Sequence, residues 1–287
     1  RLGVNWGVDT TDTDVRSDSF YSEINMSQAA MNDRFAREIE HFEAHYAHEA
    51  AQGIDPLSDY DSKRYTNPPA NTIYPREFYH HLLAPIAGKE VMEIASGNGI
   101  DASICCHNGA KLHAYDISSE SIKMVEERAR VNLVSENLTT QVTGDFMKAF
   151  EGQTFDHIIG YAALHHIPME GLAQQVYDRL KPGGSAVFAE PVINSKLLYR
   201  IRKMIPYSFF EDTDDEVPLN DKDIAEFAKP FDRIEKRYFH LTSRLWHAFP
   251  NCWPLVKGLH LFDREVMRLP FMRRFATVCV FAVYRDK

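Results

Sequence analysis

One stretch constrains the fold more than any other. It runs from Lys89 through Val91-Met92-Glu93-Ile94 and Ala95-Ser96-Gly97-Asn98-Gly99 to Ala102. Residues 91–94 read as a short strand with an apolar face, and a helix opens at Ile100. Strand, glycine turn and helix together bring backbone N–H groups close to a nucleotide-like ligand. Glycine belongs in such a turn because a Cβ would block the approach and because positive φ costs glycine little.

Gly97-Asn98-Gly99 with Ala102 fits a loose G-x-G-x-x-A, which a nicotinamide-dependent dehydrogenase also shows, so the turn alone leaves two chemistries open. Later stations separate them. A second strand, 111–116, ends in the acid Asp116. A third, 138–143, runs into Gly144-Asp145-Phe146. A fourth, 155–161, ends at Tyr161 and leads to Ala163-Leu164-His165-His166. Leu180-Lys181-Pro182-Gly183-Gly184 precedes a fifth strand that closes on Glu190. Strands separated by helices indicate βαβ units and a mainly parallel sheet with right-handed crossovers. The order and chemistry of these stations resemble the class I S-adenosylmethionine-dependent methyltransferases over roughly residues 86–190. One position departs from the family pattern: the first loop glycine is Ala95.

The resemblance implies an α/β fold, a doubly wound, mainly parallel seven-stranded sheet with an antiparallel pair of last strands at one edge, here 231–241 and 274–284. It implies S-adenosylmethionine as cofactor and methyl transfer to a small-molecule acceptor. It also assigns roles. Glu93 organises the charged amino group of the cofactor tail. Ala95, Ser96, Gly97 and Gly99 let the backbone come close. Asp116 takes the ribose and Ile117 covers one adenine face. Asp145 and Phe146 take the adenine edge and its other face, and Tyr161 faces the tail. By the same analogy an N-terminal segment closes over the cofactor, with Tyr65 and Tyr74 as lid residues. If the acceptor is a hydroxyl, a general base is useful near neutral pH. His165, His166 and Glu190 are the catalytic candidates. The competing readings are packing or loop hydrogen bonds for the histidines and a helix cap for Glu190. Asn194, His240 and His247 are more remote candidates.

The chain has 287 residues and a formal charge of -9. This size suits one large α/β domain with added segments. The acidic balance argues against nucleic acid, which needs a basic footprint. Its four cysteines show no C-x-x-C spacing. Cys105 and Cys106 on a helix read as buried small hydrophobes, which fits a reducing, cytoplasmic setting with no metal. His41 and His45 have an i, i+4 spacing that could ligate a metal, but the glutamate and third ligand of a zinc motif are missing, and a solvated helix flank is the plainer reading. No apolar run approaches the roughly 20 residues of a membrane span.

Residues 1–85 read as an N-terminal arm and helical lid: a polar arm over 1–22, a helix over 27–51, a turn-rich connection over 53–69 and a short helix over 75–83. Residues 86–287 form the Rossmann-like unit, with inserts at about 191–220 and 244–272 expected to build the acceptor pocket. A weak helix is expected at 147–150. The inserts carry basic amphipathic segments, at 195–204 and 255–274, beside an acidic run at 211–216. They raise peripheral membrane contact as a reading, against core packing with a solvated charged face. A homodimer is a further expectation. The alternatives to the methyltransferase reading are a nicotinamide-dependent oxidoreductase and a non-catalytic module that binds the cofactor or a partner.

Overall fold

A computed structural model describes residues 28–195, 198–200, 218–243 and 252–286, with side chains from residue 36 onward. The expectations for the arm at 1–22, for the acidic run at 211–216, for most of the 195–204 segment and for His247 lie outside the described residues.

The strands are β1 Glu90–Ile94, β2 Lys111–Asp116, β3 Leu138–Val142, β4 Phe155–Tyr161, β5 Leu180–Pro191, β6 Arg233–Phe239 and β7 Val278–Tyr284. They make one seven-stranded sheet in the order β3-β2-β1-β4-β5-β7-β6. All neighbours from β3 to β5 are parallel, and β7 runs antiparallel to both β5 and β6. The sequence reading of fold class holds, with β7 lying inside the edge strand β6. A dinucleotide-binding sheet runs 3-2-1-4-5-6; the reversed strand between β5 and β6 sets this chain apart.

Side chains alternate across a strand, and here the alternation sorts residues into two cores. Met92, Ile158, Ala186, Phe188 and Phe281 fall on one face. Val91, Ile159, Val187, Ala189 and Val280 fall on the other. The second face is covered by α3 (Pro75–Leu83), α4 (Ile100–His107) and α5 (Ser119–Val131). The first is covered by α6 (Leu172–Arg179), α7 (Asp221–Phe227) and Met267. Phe78, Tyr79 and Leu83 of α3 are all buried, so a helix expected in the lid segment belongs to the layers that sandwich the sheet.

Two local differences have physical causes. The connection at 53–69 contains a helix, α2 (Asp59–Thr66), capped by Ser58, whose hydroxyl accepts from the Asp61 N–H; acids sit in its first turn and Lys63 and Arg64 in its last. That arrangement favours both ends of the helix dipole. The expected helix at 147–150 is a turn instead. The buried guanidinium of Arg179 takes its carbonyls, donating to Phe146 O at 2.8 Å and Phe150 O at 2.7 Å.

Candidate active site

The site lies at the carboxyl ends of β1, β2 and β4. The turn after β1 is tight. Ala95 has φ 51°, Gly97 54° and Gly99 74°. A Cβ at Gly99 would meet Val125 Cα at 2.8 Å, so glycine is required there for α4 to pack on α5. Ala95 is an alanine held in left-handed backbone, a strained conformation where the family pattern has glycine.

Asp116 closes β2 and is buried. Its Oδ2 accepts from Gly97 N at 3.0 Å and its Oδ1 from Ser118 N at 2.9 Å. The carboxylate therefore clasps the glycine turn to the start of α5, a role the sequence reading did not anticipate. Burial raises its pKa, opposed by those N–H donors. Ile117 lies over Gly144, where a Cβ would meet its Cδ1 at 2.9 Å, so Gly144 makes room for it. Asp145 is exposed and accepts from Met147 N at 2.9 Å. Phe146, expected on an adenine face, is turned into the core, with the Arg179 guanidinium 5.2 Å from its ring. The core offers this large apolar ring more burial than the surface of the loop would.

Glu93 is 3% exposed, and its Oε2 has no hydrogen-bond partner. Burial pushes its pKa well up, with Asp101 and Asp116 adding repulsion. Nearby, Asp101 takes His80 at 2.9 Å and Arg76 at 3.6 Å. Burial alone would raise Asp101; Arg76 and His80 outweigh it and hold its pKa below the ordinary value. The Arg76 guanidinium lies 4.4 Å from the centre of the Tyr161 ring, and Tyr65 packs on His80 at 5.2 Å. Glu93, Asp101, Arg76 and Tyr161 thus form one cluster, with Tyr65 behind it. Arg76 carried no motif in the sequence. Tyr74 packs away from it, 4.8 Å from His260 and under Arg64.

The element that covers the site is α1 (Gln28–Ala51). Glu43 accepts from Ser119 N at 2.6 Å, Glu49 accepts from Asn98 Nδ2 at 3.2 Å, and Tyr46 Oη lies 3.0 Å from where a Gly97 Cβ would stand. Phe42 meets His166 edge-on at 5.5 Å. The sequence reading put the helix over 27–51 in the lid segment but named Tyr65 and Tyr74 as its lid residues; the residues of α1 that meet the turn are Phe42, Glu43, Tyr46 and Glu49.

After β4, His165 Nδ1 lies 2.8 Å from Glu190 Oε2. Glu190 is fully buried, and its Oε1 accepts from Ala163 N and Leu164 N at 2.9 Å each. The His166 ring lies against His165, with centroids 4.0 Å apart and the planes tilted by 40°. A carboxylate accepts, so the His165 Nδ1 donates and the basic lone pair sits on Nε2. Asn194 has a structural use, accepting from Asp221 N at 2.7 Å. Among the described residues, no group of three or more His, Cys, Asp or Glu is placed to hold a metal ion. Nor is any helix there long and apolar enough to cross a membrane. His45 instead meets Glu49 at 3.6 Å.

Comparison with known proteins agrees with the fold and the turn. A family model described as a methyltransferase domain matches residues 92–188. A ubiquinone biosynthesis O-methyltransferase of Paracidovorax citrulli is 27% identical over 115 residues, 40% of this chain and 48% of that protein. The sterol 24-C-methyltransferase of Saccharomyces cerevisiae is 31% identical over 125 residues, 41% of this chain and 32% of that one. The chain spans about half the length of the first of these relatives. Among solved structures, geranyl diphosphate C-methyltransferase from Streptomyces coelicolor matches with TM-score 0.55 and 12% identity over 88% of this chain and 98% of that one. Magnesium protoporphyrin IX methyltransferase from Synechocystis matches with TM-score 0.53 and 13% identity, covering 87% and 99%. Residues 92–188 match a methyltransferase-domain model, and the fold around them is like that of the class I methyltransferases. The nicotinamide-dependent alternative is not favoured.

Proposed function

We propose that this chain transfers the methyl group of S-adenosylmethionine to a hydroxyl of a small, partly apolar metabolite. The observation that carries the reading is the Glu190–His165 pair, one loop from the glycine turn: it supplies a positioned base, which an oxygen acceptor needs and a preformed amine does not. The relatives named as O-methyltransferases support the same acceptor atom.

The residues present fit the cofactor. Glu93 Oε2 is a buried acceptor without a donor, suited to the ammonium of the tail. Arg76 suits the tail carboxylate as a planar fork. Gly97 and Gly99 admit the backbone, Ile117 offers an apolar cover, and Asp145 an acceptor for the adenine edge. Asp116 keeps lone pairs for a ribose hydroxyl beside its two backbone donors. When bound, S-adenosylmethionine supplies a methyl group activated on a sulfonium. The chain's own residues align and desolvate the acceptor, effects worth on the order of 7–11 kcal/mol. His165 Nε2 takes the hydroxyl proton, and Glu190 holds the ring in the right tautomer and stabilises its charge. Helix α1 excludes water from the turn.

On this proposal the enzyme works in the cytoplasm on a small molecule and makes no use of nucleic acid. A homodimer, expected from the sequence, is checked by sedimentation. The test of the activity is transfer of labelled methyl from S-adenosylmethionine to a panel of phenols and alcohols. Label in an acceptor, lost in His165→Ala, supports the proposal. Binding of S-adenosylhomocysteine with no label moved to any acceptor would leave a cofactor-binding module instead.

A further inference from the structure

At the edge of the sheet away from the glycine turn, positive charge accumulates around a cavity of about 440 Å³. Lys236 and Arg237 of β6 line one side. Arg264 of α8 (Trp253–Val266), with Arg268 and Arg273 from the turns that follow, lines the other. Among the described lining residues the one carboxylate, Asp263, is committed to the loop. It accepts from the backbone N–H groups of Leu241, Thr242 and Ser243, each at 2.9 Å. Nearby acids offset part of the charge. Lys236 lies 3.4 Å from Asp221, and Glu265 serves both Arg264 and Arg268.

Arg237 is different. It donates to the carbonyls of Ala70 at 3.0 Å and Thr72 at 2.6 Å, and no acid among the described residues forms an ion pair with it. The rings of Phe78 and Phe239, 5.1 and 4.9 Å from its guanidinium carbon, fix its plane. Burial lowers its pKa, and Arg264 and Arg268 lower it further by repulsion. Like charges gathered around one half-buried guanidinium are unfavourable unless an anion joins them.

We propose that this cavity binds the phosphate group of a phosphomonoester. Arginine forks drawn from two elements match the geometry of phosphate oxygens. The volume is that of a small-molecule site, larger than a bare ion needs. The overall charge of -9 opposes a long polyanion such as nucleic acid. The cavity lies four strand spacings from β1, roughly 19 Å, and two from β5, whose Glu190 shares a row with Tyr238. The phosphate has two sources, a soluble ester or a lipid headgroup. Exposed Trp253, Leu255, Phe262 and Phe271 on α8 and the turn beyond it make the second worth a separate arm.

The experiment is calorimetric titration of the full chain with inorganic phosphate and with glycerol 3-phosphate. Alongside it runs co-sedimentation with phosphatidylcholine vesicles, with and without phosphatidic acid. The variant is Arg264→Gln with Arg268→Gln, at side chains 29% and 70% exposed. Melting temperature checks its fold, and Arg264→Lys with Arg268→Lys keeps the charge but loses the fork. As a charge-matched control, Lys111→Gln with Lys123→Gln removes the same charge elsewhere. Saturable binding of glycerol 3-phosphate, weakened tenfold or more in the glutamine pair and unchanged in the control, establishes a soluble ester. Sedimentation only with phosphatidic acid, lost in the same pair, establishes a headgroup. Binding to neither, or equal weakening in the control, overturns the proposal.

Discussion

The Nδ1 of His165 and the Oε2 of Glu190 stand 2.8 Å apart, while the other oxygen of that carboxylate ties down two backbone N–H groups of the loop that carries the histidine. One buried carboxylate from β5 thus sets both the position of the loop and the tautomer of the ring. Glu190→Gln keeps an acceptor for Ala163 and Leu164 but removes the charge facing the imidazole. It is expected to lower kcat roughly 10²-fold with little change in melting temperature. His165→Ala is expected to lower kcat by about 10²–10⁴. Steady-state kinetics checks both.

Glu43 on α1 accepts from the Ser119 N–H, at the start of α5, where a negative charge also meets the favourable end of the helix dipole. Bonds to a charged group are worth about 1.5–3 kcal/mol. Glu43→Ala should therefore raise the Kd for S-adenosylhomocysteine by about tenfold or more. Hydrogen exchange across α1 should slow on ligand binding in the parent and much less in the variant.

Ala95 occupies left-handed backbone at φ 51°. An L-residue there costs about 1–2 kcal/mol, against a somewhat smaller entropic cost for glycine. Ala95→Gly should raise unfolding free energy by roughly 0.5–1 kcal/mol, read by urea denaturation.

His157 on β4 contacts the Ser185 hydroxyl at 2.9 Å, and burial lowers its pKa from 6.5 to about 4, only partly offset by Asp156. The folded state holds this ring neutral, while the unfolded chain takes up a proton at higher pH. Its contribution is therefore complete above pH 6.5 and is lost as pH falls through 4. At pH 4.5 the loss is on the order of 2–3 kcal/mol. His157→Gln keeps a polar group near Ser185 but has no proton to gain. Its unfolding free energy should fall less than the parent's between pH 7.5 and pH 4.5.

Most of the fold was legible because its signals are local. The strand, turn and helix around Gly97, the Ser118 cap that accepts from Ser121 N at 3.1 Å, and Gly109 closing α4 at φ 84° each rest on a few adjacent residues. What stayed hidden depends on distance in the chain. Arg76 meets Asp101, and Glu43 meets Ser119, only after the sheet has assembled. Phe146 follows a glycine-acid pair that marks a ligand loop, yet Arg179, 33 residues on, draws that loop inward. The helix α2 was missed because Asp, Ser and Tyr in 59–66 read as turn composition, although Ser58 caps it.

The central claim is that the turn at Gly97 and the acids around it hold an adenosine-bearing sulfonium. Calorimetric titration of the full chain with S-adenosylhomocysteine tests it most directly, with NADH as the competitor. The account predicts saturable binding of the first at one site per chain, abolished in Gly97→Val and weakened at least tenfold in Glu93→Ala, and no heat from NADH. Binding of NADH in its place, or S-adenosylhomocysteine binding untouched by Gly97→Val, would contradict it.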